Sequence, residues 1–338
     1  MRKQYLTLLI FSAIVVSSFL VACTKKSAEP VWIYASVYPE TVEIYDRALK
    51  QKFPGLNIKW FQNGSENLAA KLALEELAGD IKADLILLAD IFWCRKKAEE
   101  GFWEPYQPKL DYDVPDAMEG PGGTFTTPRI SVMVIGYNKK FLSEAEAPKS
   151  FQELIDPKWK GKVSSGSPLE SGTNYTLMLN FAYRYGYDFL RKLRENDLIS
   201  AGGNSAVMKR MVMGERPIGL ILEESMLFEM RKNKNPDLGI IYPSDGVVIT
   251  PGPMGIPKAS KHKEIAKKIY DFLMSEEGQK ITIAGHLHVP DPRAGIPPGA
   301  RPFSELKANS FELSEKFFEF AQKEEKTFKD TFAEILLR

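Results

Sequence analysis

Ser171-Gly172-Thr173 carries the clearest chemistry in this sequence. The triplet stands where a helical pattern begins. Gly172 permits close backbone approach, two hydroxyls donate, and the first-turn amides point outward with the helix dipole behind them. Such an end holds phosphate, carboxylate or sulfate; the plainer reading is a simple cap. Asp90 precedes Ile91-Phe92-Trp93. It offers an acceptor to a polar ligand group, with Trp93 as a wall for an apolar or sugar face; N-capping and core packing account for the pair equally well. His286-Leu287-His288 sets two imidazoles on one strand face, a weak metal site without a neighbouring carboxylate or cysteine. Hydroxyls run from Ser164 to Ser171, but there is no Gly-x-Ser-x-Gly elbow and no nearby His, so no hydrolytic triad can be composed. Cys94 is far in sequence from all three His and reads as a small buried hydrophobe.

These residues need strands that stop at one edge. Trp32 to Ala35, Leu56 to Phe61 and the near-continuous apolar run from Ala83 to Asp90 read as strands. Helical patterns intervene, with Val42, Tyr45, Leu49 and Phe53 on one face and a second helix from Glu66 to Ala78. Ile130 to Tyr137, Pro217 to Leu222, Ile240 to Tyr242 and Val247 to Thr250 are further strands. Helices are expected at Ser150 to Leu154, Asn174 to Tyr185, Met208 to Met213 and His262 to Met274. The tail stripe Phe317, Phe320, Phe328, Phe332 and Leu336 has core spacing. Alternating strands and helices imply an α/β fold with a parallel sheet. In such sheets ligands gather beyond the carboxyl ends of the strands. The informative positions are therefore Ser36, Asn63, Asp90, Ser165 to Thr173, Glu223 to Ser225 and Tyr242.

Length and composition exclude several classes. A chain of 338 residues with 44% hydrophobic content has room for about two domains. Its 45 Lys+Arg against 44 Asp+Glu give no global reason to expect nucleic acid or an anionic bilayer surface as partner. Arg2 and Lys3 precede an apolar run from Leu6 to Val21 that ends in Leu20-Val21-Ala22-Cys23. This reads as a secretory signal over residues 1–22. The cysteine after Leu-Val-Ala resembles the lipobox of bacterial lipoproteins, which implies lipidation of Cys23. Residues 23–30 then form a lipidated tether. With Cys23 lipidated, Cys94 has no disulfide partner.

The order of several short motifs resembles the solute-binding lipoproteins of bacterial ABC importers, in the branch holding ferric-ion and phosphorylated-solute binders. They are Ala83-Asp84, Glu104-Pro105, Ile155 to Lys162, Ser171-Gly172-Thr173, Asn204 before Ala206-Val207, and Ser275-Glu276-Glu277-Gly278-Gln279. The resemblance implies a two-lobe type II periplasmic-binding-protein fold. Each lobe would be a mixed sheet flanked by helices, with two crossover strands as the hinge. Residues 31–127 with 251–338 would form one lobe and 128–250 the other. It further implies a monomer that performs no chemistry. It captures a small anionic, phosphorylated solute between the lobes and delivers it to an ABC-transporter permease. The membrane is reached through the lipid anchor alone, on the periplasmic or extracellular side of the envelope.

The expected ligand-binding set is Ser36, Asp90, Ser171, Gly172, Thr173, Asn204, Ser205 and Glu224. Asn204 and Ser205 match a second anion-contacting turn of the family, and a carboxylate opposite the anion site would accept from hydroxyl or ammonium groups. Ferric binders of the branch carry adjacent tyrosines where this sequence has Glu224-Ser225. The alternative, ferric iron as the transported ligand, would rest on Glu224, Tyr38 and Tyr242. No cofactor is implied otherwise.

Overall fold

The computed structural model describes residues 29–231 and 234–336. The signal segment, Cys23 and most of the tether lie outside the described residues, as do Arg338 and Leu337. The chain divides at Pro30, and the unit beginning at Val31 is described below.

β1 (Val31–Ala35) leads into α1 (Pro39–Lys52). Pro39 at the first helical position pre-sets the backbone angle. Thr41, Tyr45 and Leu49 recur at four-residue spacing and are buried together. Gly55, at φ 87°, then turns the chain. β2 (Ile58–Gln62), α2 (Ser65–Leu77), β3 (Leu85–Leu87) and α3 (Ile91–Glu99) continue the alternation. β1 pairs in parallel with both β2 and β3.

β4 (Thr126–Asn138) is thirteen residues long and buried throughout. Beyond it come β5 (Val163–Ser165), α4 (Gly172–Tyr185), α5 (Tyr187–Glu195), β6 (Ile199–Ser200), α6 (Asn204–Met213), β7 (Ile218–Leu222) and α7 (Glu223–Arg231). β8 (Leu238–Ile241) and the long β9 (Val247–Gly255) follow. The order of strands along the main sheet is β2-β1-β3-β9-β4-β7-β5-β6. It is mixed, not wholly parallel as the alternation suggests, because β9 and β4 run antiparallel to their neighbours. These two strands splice the sheet together. β9 meets β3 at Met254 and Gly255, and β4 from Thr126 to Met133. β4 from Met133 onward pairs instead with β7, and from Ile135 with β8.

α8 (Lys263–Met274) buries Ala266, Ile269, Tyr270 and Leu273, and α9 (Glu276–Ala284) is capped by the Ser275 hydroxyl. After α10 (Phe303–Ala308) and the short β10 (Ser310–Phe311), α11 (Glu315–Leu336) returns across α3, α4 and α5. Phe317, Phe328 and Phe332 are its buried stripe, with Phe317 edge-on to Phe92 at 5.6 Å between ring centres.

Two local differences from expectation have simple causes. The strand read from Ala83 to Asp90 is paired only over Leu85–Leu87, because its ends are used otherwise. Asp84 accepts from the Trp32 amide, the Ser260 hydroxyl and the His262 amide, clamping the loop before α8. Asp90 caps α3. The helix expected at 150–154 is a single 3-10 turn, Gln152–Ile155, since Pro157 disfavours helix at Asp156.

Candidate functional site

β1, β2 and β3 run one way and β5, β6 and β7 the other, so the carboxyl ends of the two sets of strands face each other across the middle of β4 and β9. Four helix N-termini converge there on a cavity of about 280 Å³. α1 contributes Tyr38, Pro39 and Thr41; α2 contributes Gly64 and Ser65; α4 contributes Ser171 and Thr173; α6 contributes Gly203, Asn204 and Ser205. The first turn of a helix has amides without intrahelical partners, and each end carries a partial positive charge. The cavity is therefore positive before any side-chain charge is counted.

Arg129 adds a full charge. It sits near the start of β4, is 2% exposed and lines the same cavity. One guanidinium nitrogen donates to the Ser36 carbonyl at 3.0 Å, while the buried Nε has no hydrogen-bond partner. Burial lowers the guanidinium from its usual range, with Tyr45 and Glu224 acting in the other direction. A buried donor left without a partner costs about 1–3 kcal/mol, more for a charged group, so the site favours an acceptor placed against it.

Glu170, in the lining, is exposed and accepts from the Gly202 amide, whereas the buried carboxylate there is Glu224, at the start of α7 and 6% exposed. Its Oε1 accepts from the Ser131 hydroxyl at 2.6 Å. Burial pushes its pKa up to about 7, further raised by Glu223 and opposed by the Ser131 bond and Arg129. Near neutral pH it exists in both forms, able to donate or to accept. Tyr38 stands beside it, hydrogen-bonded to the Ser225 hydroxyl, and burial together with Glu224 raises the phenol well above its ordinary range. Tyr38 is therefore a neutral hydroxyl at physiological pH.

A polar frame holds these groups. The buried Asn174 donates to Ser171 Oγ and to Asn204 Oδ1, both at 3.1 Å, and accepts from the Gly166 amide at 3.0 Å. Asn204 in turn donates to Thr173 Oγ1 at 2.9 Å. The starts of α4 and α6 are thus cross-braced, with Ser171 and Thr173 hydroxyls 3.1 Å apart. On the opposite wall, Ser36 Oγ accepts from the Ala89 amide at 2.7 Å and from Ser65 Oγ at 3.0 Å. Gln279 donates to the Pro128 carbonyl at 2.9 Å, fixing the backbone that carries Arg129. The two walls nearly touch: a β-carbon on Gly64 would stand 2.6 Å from the Glu170 carbonyl.

Of the expected residues, Ser36, Ser171, Thr173, Asn204, Ser205 and Glu224 line this cavity, and Tyr38 joins them. Two do not. Asp90 accepts from the Trp93 amide at 3.0 Å and faces a separate pocket beside α11, where burial and Glu66 raise its pKa to about 7. Trp93 packs edge-on to Phe102 and Trp103, so it is not a cleft wall. Gly172 acts by what it lacks, since any β-carbon there would collide with the Ala89 carbonyl. Gly172→Ala should destabilise the protein by about 1–3 kcal/mol, because a backbone carbonyl cannot yield as a flexible side chain would; urea unfolding measures this.

The ferric trio of Glu224, Tyr38 and Tyr242 is not brought together. Tyr242 donates its hydroxyl to Glu223, whose second oxygen meets His288 Nε2 at 2.6 Å. Successive helical residues point about 100° apart, so the carboxylate that holds Tyr242 is not the one facing the cavity. Glu223 is thereby a buried partner and not a rim charge, and His288 is committed to it. No group of three or more His, Cys, Asp or Glu able to hold a metal occurs among the described residues. Arg129, Ser131 and Asn174 went unread in the sequence. A lone Arg within Thr127-Pro128-Arg129-Ile130, entering an apolar strand, was the available signal: such a charge is buried only against a partner.

The model of the bacterial extracellular solute-binding protein family matches residues 80–304, and the chain belongs to that family. It is 24% identical to Iron uptake protein A1 of Synechocystis sp. over 90% of each chain. The periplasmic binding protein AfuA from Actinobacillus pleuropneumoniae, solved with fructose-6-phosphate bound, is similar with a TM-score of 0.80 and 22% identity, covering 92% of this chain and 99% of that one. Iron-bound HitA from Pseudomonas aeruginosa follows with a TM-score of 0.77 and 21% identity, covering 89% and 99%. The fold is the two-lobed, type II periplasmic-binding-protein architecture, mixed α/β throughout.

Proposed function

We propose that this protein captures a small anionic, phosphorylated organic solute in the Arg129 cavity and delivers it to the permease of an ABC importer. The observation that carries the reading is the buried Arg129, with a free Nε, at the focus of four helix N-termini. Phosphoryl oxygens suit both donor types. Ser36, Ser171, Thr173, Asn204 and Ser205 would supply the remaining donors, with Glu224 accepting from hydroxyl or ammonium groups of the solute. AfuA, a protein of the same fold, was solved with a sugar phosphate, which supports the reading.

Residues 31–127 with 251–338 act as one lobe and 128–250 as the other, closing about β4 and β9. Ligand stabilises the closed form by its differential affinity for it. The protein works as a monomer without chemistry of its own, secreted by residues 1–22 and held to the envelope through lipid on Cys23. Mass spectrometry of the natively purified protein should find a phosphorylated organic molecule. A cleft loaded with metal alone would overturn the proposal. Ferric iron remains the second reading because Tyr38 and Glu224 share the cavity. Ferric citrate should give no visible charge-transfer band, and a coloured protein would favour iron instead.

A further inference from the structure

β9 carries a glycine that its own backbone does not need. Gly252 is buried inside the strand, between Pro251 and Pro253, and is not among the glycines with positive φ. A residue with a side chain could adopt the same backbone, and glycine in a strand interior weakens the strand. What Gly252 supplies is space. A β-carbon built there would stand 2.6 Å from Cζ, 2.7 Å from Nη1 and 2.8 Å from Cγ of Arg129. Gly252 is also the direct antiparallel partner of Arg129. Side chains paired in this way normally stand next to each other, with β-carbons about 4.5–5.5 Å apart. Here one side chain is missing, and the other lies across its place to reach the Ser36 carbonyl, 3.0 Å from Nη2.

A buried arginine is ordinarily held by a carboxylate, which neutralises the charge that it positions. Arg129 makes no ion pair among the described residues. Glu224 acts on it through space, and the Glu224 Oε1 is engaged by the Ser131 hydroxyl.

We propose that Gly252 is the positioning residue of the anion site: it leaves a slot in β9 that holds the Arg129 side chain by shape, so that a glycine and one neutral carbonyl do what a carboxylate would otherwise do, and the guanidinium charge stays available to the ligand. The inference rests on the anion reading of the cavity. The strand is the stiff side of this contact. Proline fixes the backbone on both sides of Gly252, Pro251 is paired with Ile130, and the Pro253 carbonyl accepts from the Leu88 amide at 2.9 Å. The arginine is the soft side, because its rotatable bonds let it swing away. A β-carbon at position 252 therefore moves the guanidinium and not the strand. The displaced group leaves the Ser36 carbonyl and its place before the helix N-termini, and ligand binding then has to restore that geometry.

Calorimetric titration with inorganic phosphate, beside urea unfolding, tests the proposal in Gly252→Ala. Affinity should fall about tenfold, while the unfolding midpoint stays close to that of the wild type. A glycine needed only for packing gives the reverse pattern, and unaltered affinity overturns the proposal whatever the stability, leaving the anion site standing. In the Arg129→Ala background no side chain occupies the slot, so adding Gly252→Ala should leave the unfolding midpoint of Arg129→Ala unchanged. A further loss of stability there would place the need for glycine in the backbone and overturn the slot. Should Gly252→Ala alone be too unstable to titrate, recovery of the Arg129→Ala midpoint in the double variant supports the proposal, and no recovery overturns it. A wild-type protein that binds no phosphate overturns the anion reading and this inference together.

Discussion

Arg129→Met loses at least about 100-fold in affinity for a phosphorylated solute, roughly 3 kcal/mol. The guanidinium is buried, presents an Nε with no partner, and faces a cavity whose other donors are neutral amides and hydroxyls. Removing the one full positive charge from such a site removes both a charge-assisted bond and the potential that draws the anion in. The same substitution should leave the ligand-free protein as stable or more stable. Burial costs the guanidinium more than Tyr45 and Glu224 return, and a methionine of similar reach carries no such desolvation cost. Opposite signs for binding and stability are the signature of a site kept for its ligand. Arg129→Lys should fall between, because an ammonium is a point charge without the planar fork. Calorimetric titration with inorganic phosphate as a probe, beside urea unfolding, reads both quantities. Unaltered affinity in Arg129→Met would remove the basis of the anion reading.

The sequence shows the periodic parts of this molecule well and the non-local parts poorly. α1, α8 and α11 follow from apolar spacing, and the strand-end rule picks out Ser36, Ser171 and Glu223 to Ser225 because a strand's last residue is a local property. Asp90 meets the same rule yet points elsewhere. Its carboxylate is taken by the Trp93 amide, and only the course of α11 across α3, set by contacts more than two hundred residues apart, creates the separate pocket it faces. Tyr242 fails for a related reason, since its partner Glu223 is fixed by the turn that begins α7. Asn174 is invisible because a buried asparagine inside a helix carries no pattern of its own. Its importance arises from Gly166, Ser171 and Asn204: the first two are near it in the chain, but Asn204, at a separation of 30, meets it only in the fold. The mixed character of the sheet is likewise hidden: β4 and β9 read as ordinary strands, and nothing local says that each pairs antiparallel with a distant neighbour.

Glu224→Gln should become more stable relative to the wild type as pH rises, by roughly 3 kcal/mol between pH 5 and pH 8. Burial raises the Glu224 carboxyl from 4.5 to about 7 in the native state. Between those values the unfolded chain has released this proton and the native protein still binds it, so stability falls with rising pH until the native group also ionises. Asp90, raised to about 7 by burial and Glu66, acts in the same direction. His286, whose burial lowers its pKa, acts in the opposite one. The raw pH profile therefore mixes three groups, and the difference between wild type and Glu224→Gln isolates one. Glutamine keeps an oxygen for the Ser131 hydroxyl, so the bond that positions the side chain survives the substitution. Urea unfolding of both proteins across this range gives the difference directly, and parallel profiles would mean that Glu224 is solvated and not held in the cavity wall. The destabilisation at neutral pH is the cost of keeping a carboxylate beside an anion site. A ligand that brings an ammonium within reach of Glu224 would lower its pKa again, so adding such a ligand should shrink the pH-dependent gap between the two proteins.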